Sequence, residues 1–211
     1  NGRGGIKSMD LSLYVITDEK IGLGRSHTFL AEEALKGGAT VIQLRDKEKS
    51  GRELYKIGVK LREITKKYGA LFIVNDRLDI ALAVGADGVH LGMNDLPISV
   101  ARRIAGNNFI IGASVSSPEE AVLAEKEGAD YISAQSIFET SSKEDVKVIG
   151  LEGLKAIVKV SSLPVIAIGG INRDNVRDVM KTGVKGIAVI SAVVSKEDVR
   201  SATEELKRLI H

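Results

Sequence analysis

The chain has 211 residues, 44% of them apolar, and a formal net charge of +2. That length suits one domain or one barrel, and the near-neutral balance excludes general polyelectrolyte attraction to nucleic acid or to an anionic membrane surface. The absence of cysteine excludes disulfides and thiolate metal sites, which fits a cytoplasmic location, and no apolar run approaches the roughly 18 residues of a membrane span.

Residues 1–9 read as a disordered leader. Asn1 to Ser8 is Gly-rich and polar, without the apolar core of a signal peptide, and Met9 is the expected natural start. Residues 10–211 then form a single catalytic domain in which strand-like and helix-like segments alternate. Leu13–Thr17 is the first strand. Ser26 is placed to cap a helix to Lys36, stopped by Gly37-Gly38. Thr40–Leu44 is the second strand. Ser50 caps a helix to Lys67, with Leu54, Ile57, Leu61 and Ile64 at helical spacing. Leu71–Val74 is the third strand, and a short helix from Leu78 to Val84 leads to the fourth, Gly88–Leu91. Pro97 starts a helix to Ile104, Phe109–Ala113 is the fifth strand, and Ser117-Pro118-Glu119-Glu120 is a strong helix start with proline at the first helical position. Tyr131–Ala134 is the sixth strand, followed by a polar loop from Gln135 to Gly150 and a helix from Leu151 to Val160. Val165–Ile168, a helix over Asn172–Lys181, Gly186–Ile190 and a closing helix over Ser195–Ile210 complete the order.

A repeat underlies this alternation. Gly38-Ala39, Gly85-Ala86, Gly128-Ala129 and Gly183-Val184 each end a helix and precede an even-numbered strand, as a glycine C-cap and a small residue would at a tight turn. Four units of two βα modules predict an α/β fold, a single (β/α)8 TIM barrel, with a doubly wound sheet as the alternative.

In a parallel barrel the loops after the strands carry function. Gln43, Arg45 and Lys47 alternate onto one face after the second strand, placing two cations and an amide together, the bland alternative being a solvated charged turn. Asn75-Asp76 follows the third strand and Asp95 the fourth. The two carboxylates suit a hard cation such as Mg²⁺, although Asn75 or Asp76 could instead cap the next helix. His90 reads as a packed core histidine, and His27 and His211 carry no signal. Ser114 either contacts ligand or closes a turn, with no histidine–acid pair beside it in sequence to make it a nucleophile. Thr140, Ser141, Ser142 and Lys143 are hydroxyls followed by a cation, suited to phosphate or to a polar loop. Gly169-Gly170 and Ile190-Ser191 end the last two strands, where barrels often hold a monophosphate. This inventory of a cationic diphosphate site, a two-carboxylate metal site and a separate phosphate site points to two small phosphorylated substrates, one of them activated as a diphosphate.

From Leu13 to about Ile210 the chain resembles the thiamine-phosphate synthase family. The resemblance is carried by Gln43-Leu44-Arg45-Asp46-Lys47, Asn75-Asp76, Ala86–Gly92 with Asp95, Gly112-Ala113-Ser114, Thr140–Lys143, Ile168–Ile171 and Val189–Ala192. It implies transfer of a pyrimidinylmethyl group from hydroxymethylpyrimidine diphosphate to a thiazole phosphate, or its carboxylated tautomer, by dissociative loss of diphosphate. Asp76 and Asp95 match the Mg²⁺ ligands. Gln43, Leu44, Arg45, Asp46, Lys47, Asn75, Ser114 and Lys143 match the pyrimidine-diphosphate site, and Arg45, Lys47, Ser114 and Lys143 are its expected catalytic members. Thr140, Ser141, Ser142, Gly170, Ile190 and Ser191 match the thiazole-phosphate site. The chain departs from the family pattern at Gln135-Ser136, where Gly-Pro is usual, and at Glu139–Lys143, where Pro-Thr-x-Thr-Lys is common. Two other readings stand beside this one. A thiazole tautomerase shares the barrel but uses a histidine where this chain has Ser116, and a non-catalytic phosphate-binding barrel would need none of Arg45, Lys47, Asp76 or Asp95. A homodimer is compatible with the sequence and not required by it.

Overall fold

A computed structural model describes residues 9–140 and 146–211. The expected leader lies outside the described residues except for Met9, which packs under the barrel. Ser141, Ser142 and Lys143 also lie outside them. The element order is β1 (Leu13–Thr17), α1 (His27–Lys36), β2 (Val41–Leu44), α2 (Gly51–Tyr68), β3 (Leu71–Asn75), α3 (Leu78–Ala83), β4 (Gly88–Leu91), α4 (Ile98–Ala105), β5 (Ile110–Val115), α5 (Pro118–Glu127) and β6 (Tyr131–Ala134). It continues with α6 (Gly150–Val160), β7 (Val165–Ile168), α7 (Val176–Met180), β8 (Gly186–Val189), α8 (Ser191–Val194) and α9 (Val199–Leu209). The strands close in chain order into an eight-stranded barrel, with β8 pairing parallel to β1. The protein is a (β/α)8 TIM barrel.

Side-chain alternation on a closed sheet divides the core in two. Leu13, Val15, Ile42, Leu44, Phe72, Val74, Val89 and Leu91 point outward and pack under the helices. Tyr14, Ile16, Val41, Ile73, Ile110, Tyr131, Ile166 and Ala188 fill the inside. The register carries the inner face round the barrel: Gln43 lies opposite Ile16 and Ile73, Asn75 opposite His90, His90 opposite Gly112, and Ser114 opposite Ser133. The four repeated glycines, 38, 85, 128 and 183, all have positive φ (103°, 68°, 110° and 96°), so each does turn the chain from a helix into an even-numbered strand.

Ser26, Ser50 and Ser117 each accept from a backbone N–H three residues on, and Ser50 with Glu53 makes a full capping box at the start of α2. Two helix expectations are corrected. The helix expected over Asn172–Lys181 is only α7, Val176–Met180. Asn172 and Asn175 accept from nearby backbone N–H groups, and Asn175 Nδ2 donates to Gly170 O, so these side chains stabilise a turn in place of the first helical turn. The closing helix starts at Val199, not Ser195, because Asp198 supplies the N-cap by accepting from Ser201 N. Residues 191–194 form the separate short helix α8.

The loop Arg45–Ser50 runs straight into the capping box of α2. Ser50→Ala should lower stability by about 1 kcal/mol, seen as a lower urea midpoint at unchanged m-value.

Candidate active site

The C-terminal mouth of the barrel opens into a cavity of about 260 Å³, walled by Arg45, Lys47, Asn75, Asp76, Asp95 and Ser114 and floored by Gln43 and His90. These residues come from the ends of β2, β3, β4 and β5, which the register holds side by side. Gln43, Arg45 and Lys47 do share the inward face.

Asp76 and Asp95 meet across the β3 and β4 ends. Asp76 has φ 63°, an uncommon left-handed conformation for a non-glycine residue, and its N–H donates to His90 O at 2.9 Å. Asp95 accepts from Gly92 N at 2.7 Å, which folds its loop back over the mouth. Neither Asn75 nor Asp76 is engaged as a helix cap, since α3 follows Arg77 without a side-chain cap. Burial, a hydrogen bond with Asp95 and that neighbour's charge push Asp76 up to about 6, against the pull of Lys47 and Arg45. Two carboxylates in hydrogen-bonding contact, one reluctant to lose its proton, are an oxygen donor set with surplus negative charge. That set fits a hard divalent cation.

The cations face carboxylates too. Arg45 Nη1 lies 2.9 Å from Asp18 Oδ2, and Lys47 Nζ 3.8 Å from Asp76 Oδ2. Asp18, on the loop after β1, was not foreseen. Its other oxygen accepts from Ile21 N at 2.9 Å, so it ties Arg45 to a loop that overhangs the cavity.

Leu44 and Asp46, expected at the diphosphate site, are corrected. Leu44 is buried under the helices, on the outward parity of β2. Asp46 accepts from His27 Nε2 at 2.8 Å and from the N–H groups of Glu48 and Lys49 at 3.0 and 3.1 Å, and it does not line the cavity. His27, read as carrying no signal, is fully buried, with Nδ1 2.8 Å from Thr17 Oγ1. Its own N–H donates to Glu19, which pairs with Lys49. Glu19, His27 and Asp46 bring ligand-type atoms within 4.8 Å of one another, but each is engaged by a neighbour. They form a strut behind the Arg45–Lys49 loop.

The hydrogen bonding beneath Gln43 was also missed. Gln43 Nε2 donates to Tyr14 Oη at 2.8 Å, and Tyr14 Oη is 2.7 Å from Tyr131 Oη. Tyr131 Oη is 2.9 Å from His90 Nδ1, and His90 Nε2 is 2.8 Å from Ser114 Oγ. His90 is indeed a hydrogen-bonded core histidine, but it also faces the cavity. Burial pushes its pKa down to about 4, so the ring is neutral. Parity could have found it, because apolar Val89 and Leu91 claim the outer face of β4.

A second pocket of about 120 Å³ adjoins the first, sharing Ile21, Gln135, Ile168, Ala188 and Ile190. Thr140, Gly170, Ile190 and Ser191, which the resemblance groups at one site, line it together. Gly170 has φ 64°, and a Cβ there would strike Phe138 and the Glu139 carbonyl. Helix α8 begins at Ser191, so a helix N-terminus abuts this pocket. The Gln135–Ser136 peptide at its edge is cis.

Fold and mouth together define a class: a (β/α)8 enzyme barrel whose loop face is equipped for anionic small molecules. Residues 13–193 match the family model described as thiamine monophosphate synthase, and the chain belongs to that family. It is 59% identical over 200 residues to the thiamine-phosphate synthase of Pyrococcus furiosus, and 56% identical over 200 residues to that of Methanoculleus marisnigri. The matches cover 95% of each chain in the first case, and 94% of this chain and 95% of the relative in the second. A solved thiamine phosphate pyrophosphorylase from Pyrococcus furiosus superimposes with a TM-score of 0.90 at 57% identity, covering 96% of each chain. A 3-hexulose-6-phosphate synthase (TM-score 0.68, 18% identity, 95% of this chain and 100% of the other) shares the fold alone. The chain is thus a transferase of thiamine biosynthesis. Among the described residues, no helix is long and apolar enough to cross a membrane.

Asp76 carries a stability cost with a definite sign. Its folded pKa is raised, so the folded state holds the proton longer, and stability falls as pH rises between about 4 and 6. Asp76→Asn removes that repulsion and suits the positive φ. It should stabilise the protein at pH 7 by on the order of 1 kcal/mol, discounted for partial exposure, and by progressively less towards pH 4. His90, with its lowered pKa, acts in the opposite direction in the same window. Thermal melts of variant and parent at matched pH cancel that contribution.

Proposed function

We propose that the protein joins hydroxymethylpyrimidine diphosphate to a thiazole phosphate, or its carboxylated tautomer, giving thiamine phosphate and diphosphate, with carbon dioxide also released when the acceptor is carboxylated. The observation that carries this reading is the adjacency of the two pockets. A cavity with cations and a carboxylate pair at its rim and an amide on its floor shares a wall with a glycine-lined pocket beside a helix N-terminus. One substrate fits each, with the reacting atoms at the shared wall of Ile21, Ile168, Ala188 and Ile190.

In this reading Gln43 holds the heterocycle edge at depth, so that the methylene–oxygen bond faces the rim. Arg45, Lys47 and Asn75 hold the diphosphate, and the family resemblance adds Lys143. The bond breaks with its electron pair leaving on the diphosphate, and the thiazole nitrogen lone pair forms the new carbon–nitrogen bond. No side chain need act as a base in that step, which agrees with a cavity rich in charge. Asp76 and Asp95 would hold Mg²⁺, which when bound supplies neutralisation of the leaving group's charge. Ile21, Ile168, Ala188 and Ile190, the apolar members of the shared wall, exclude water from the cationic carbon. Thr140, Gly170 and Ser191 hold the thiazole phosphate, joined through the resemblance by Ser141 and Ser142. Cytoplasmic location and a homodimeric state belong to the same proposal.

Supplying both substrates with Mg²⁺ should release diphosphate, and chelation should stop it. Asp76→Asn combined with Asp95→Asn should lower kcat/KM by at least ~100-fold, as expected where charge stabilisation carries the rate. Full activity in the double variant would sink the metal assignment. Isomerisation of the thiazole acid without diphosphate release would establish the tautomerase reading instead. Arg45→Met should raise KM for the pyrimidine diphosphate by roughly 10-fold, on the scale of one lost charge-assisted pair, with KM for the thiazole phosphate little changed.

A further inference from the structure

The cavity floor holds more than a binding amide. Five side chains from five strands form one unbranched hydrogen-bond chain: Gln43 (β2), Tyr14 (β1), Tyr131 (β6), His90 (β4) and Ser114 (β5). The middle three are buried, and Tyr131 stacks on His90 with ring centroids 5.6 Å apart. The chain is provided for in the backbone. Tyr131 lies opposite residue 112 of β5, and any Cβ there would overlap the Tyr131 ring. Only glycine at 112 lets the phenol cross β5 to reach His90.

Each link carries one proton, so the links are not independent. Tyr14 receives from Gln43 and so donates to Tyr131, which then donates to His90 Nδ1. That leaves the ring proton on Nε2, directed at Ser114 Oγ. Ser114 thereby has an acceptor position filled, and its own proton is left for the cavity. In the reversed sense every proton flips, Gln43 presents its oxygen to Tyr14, and Ser114 offers the cavity lone pairs only. In low dielectric the mixed states leave a buried donor or acceptor unmatched.

We propose that Tyr14, Tyr131 and His90 are positioning residues that lock the amide sense of Gln43 to the donor state of Ser114. The site therefore selects, as one pattern, an aminopyrimidine-type edge at Gln43 and a hydrogen-bond acceptor, a ring nitrogen or ester oxygen, at Ser114. This inference rests on the proposed reaction for its ligand and its kinetic readout, but not for its NMR test. Both phenols are held well above their ordinary pKa by burial, so they stay protonated and relay polarity without ionising.

The experiment is ¹⁵N NMR of the imidazole in the intact protein, with the His90 signals assigned by their loss in His90→Gln. The parent should show the Nε2–H tautomer. Tyr14→Phe leaves both immediate partners of His90 in place, so a histidine that is merely packed would keep that tautomer. The relay expects a substantial Nδ1–H population instead, and an unchanged tautomer overturns the proposal. Gln43→Met, at the far end, repeats the test should Tyr14→Phe fold poorly. Kinetics give a second readout. Tyr14→Phe should lower kcat by about 10-fold, yet in the Ser114→Ala background by less than ~2-fold, the non-additivity of groups acting as a unit. Full multiplicativity of the two effects also overturns it.

Discussion

Closing eight parallel strands into a barrel places alternate side chains in a confined interior, and most of this structure follows from how that interior is filled. Near its N-terminal end the fill is aliphatic, with Val41 and Ile110. Towards the C-terminal end it becomes polar, with Gln43, His90 and Ser114. A polar group in so dry a place is tolerated only when its partners are present. The tyrosines supply them, and Gly112 makes the room. The floor of the cavity is therefore as constrained as the hydrophobic core, and the ligand meets groups whose orientation is already set.

The rim obeys a different rule. Arg45 faces Asp18, Lys47 faces Asp76, and Asp76 faces Asp95. Charges are placed by the chain ends of neighbouring strands; the two cations find carboxylate partners, while the acid pair sits in repulsion. Such an arrangement weakens the folded protein while leaving both cationic and anionic side chains facing the cavity. The strut of Glu19, His27 and Asp46, anchored by Thr17, holds the cationic loop from behind.

At the opposite side of the mouth the backbone does the work. Gly170 admits the chain close to the second pocket, Asn175 closes the turn behind it through the Gly170 carbonyl, and α8 brings a helix N-terminus alongside. The turn that shortened α7 and the start of α8 at Ser191 thus shape this side of the second pocket.

Much of this was legible in the residues themselves. Hydrophobic period, serine caps and four glycine turns define the order of strands and helices, because those signals act within a few residues along the chain. Gln43, Arg45 and Lys47 shared a face by parity alone, and Asp76 and Asp95 stood at strand ends. What the sequence could not decide was which residues far apart in the chain would touch. Tyr14 meets Tyr131 across 117 positions, and His27 turns Asp46 away from the cavity. Local chemistry determines elements and which face a side chain occupies. Only closure of the barrel, through its register and the space left by Gly112, determines which inward faces become neighbours, and so turns a histidine that reads as core packing into part of the site.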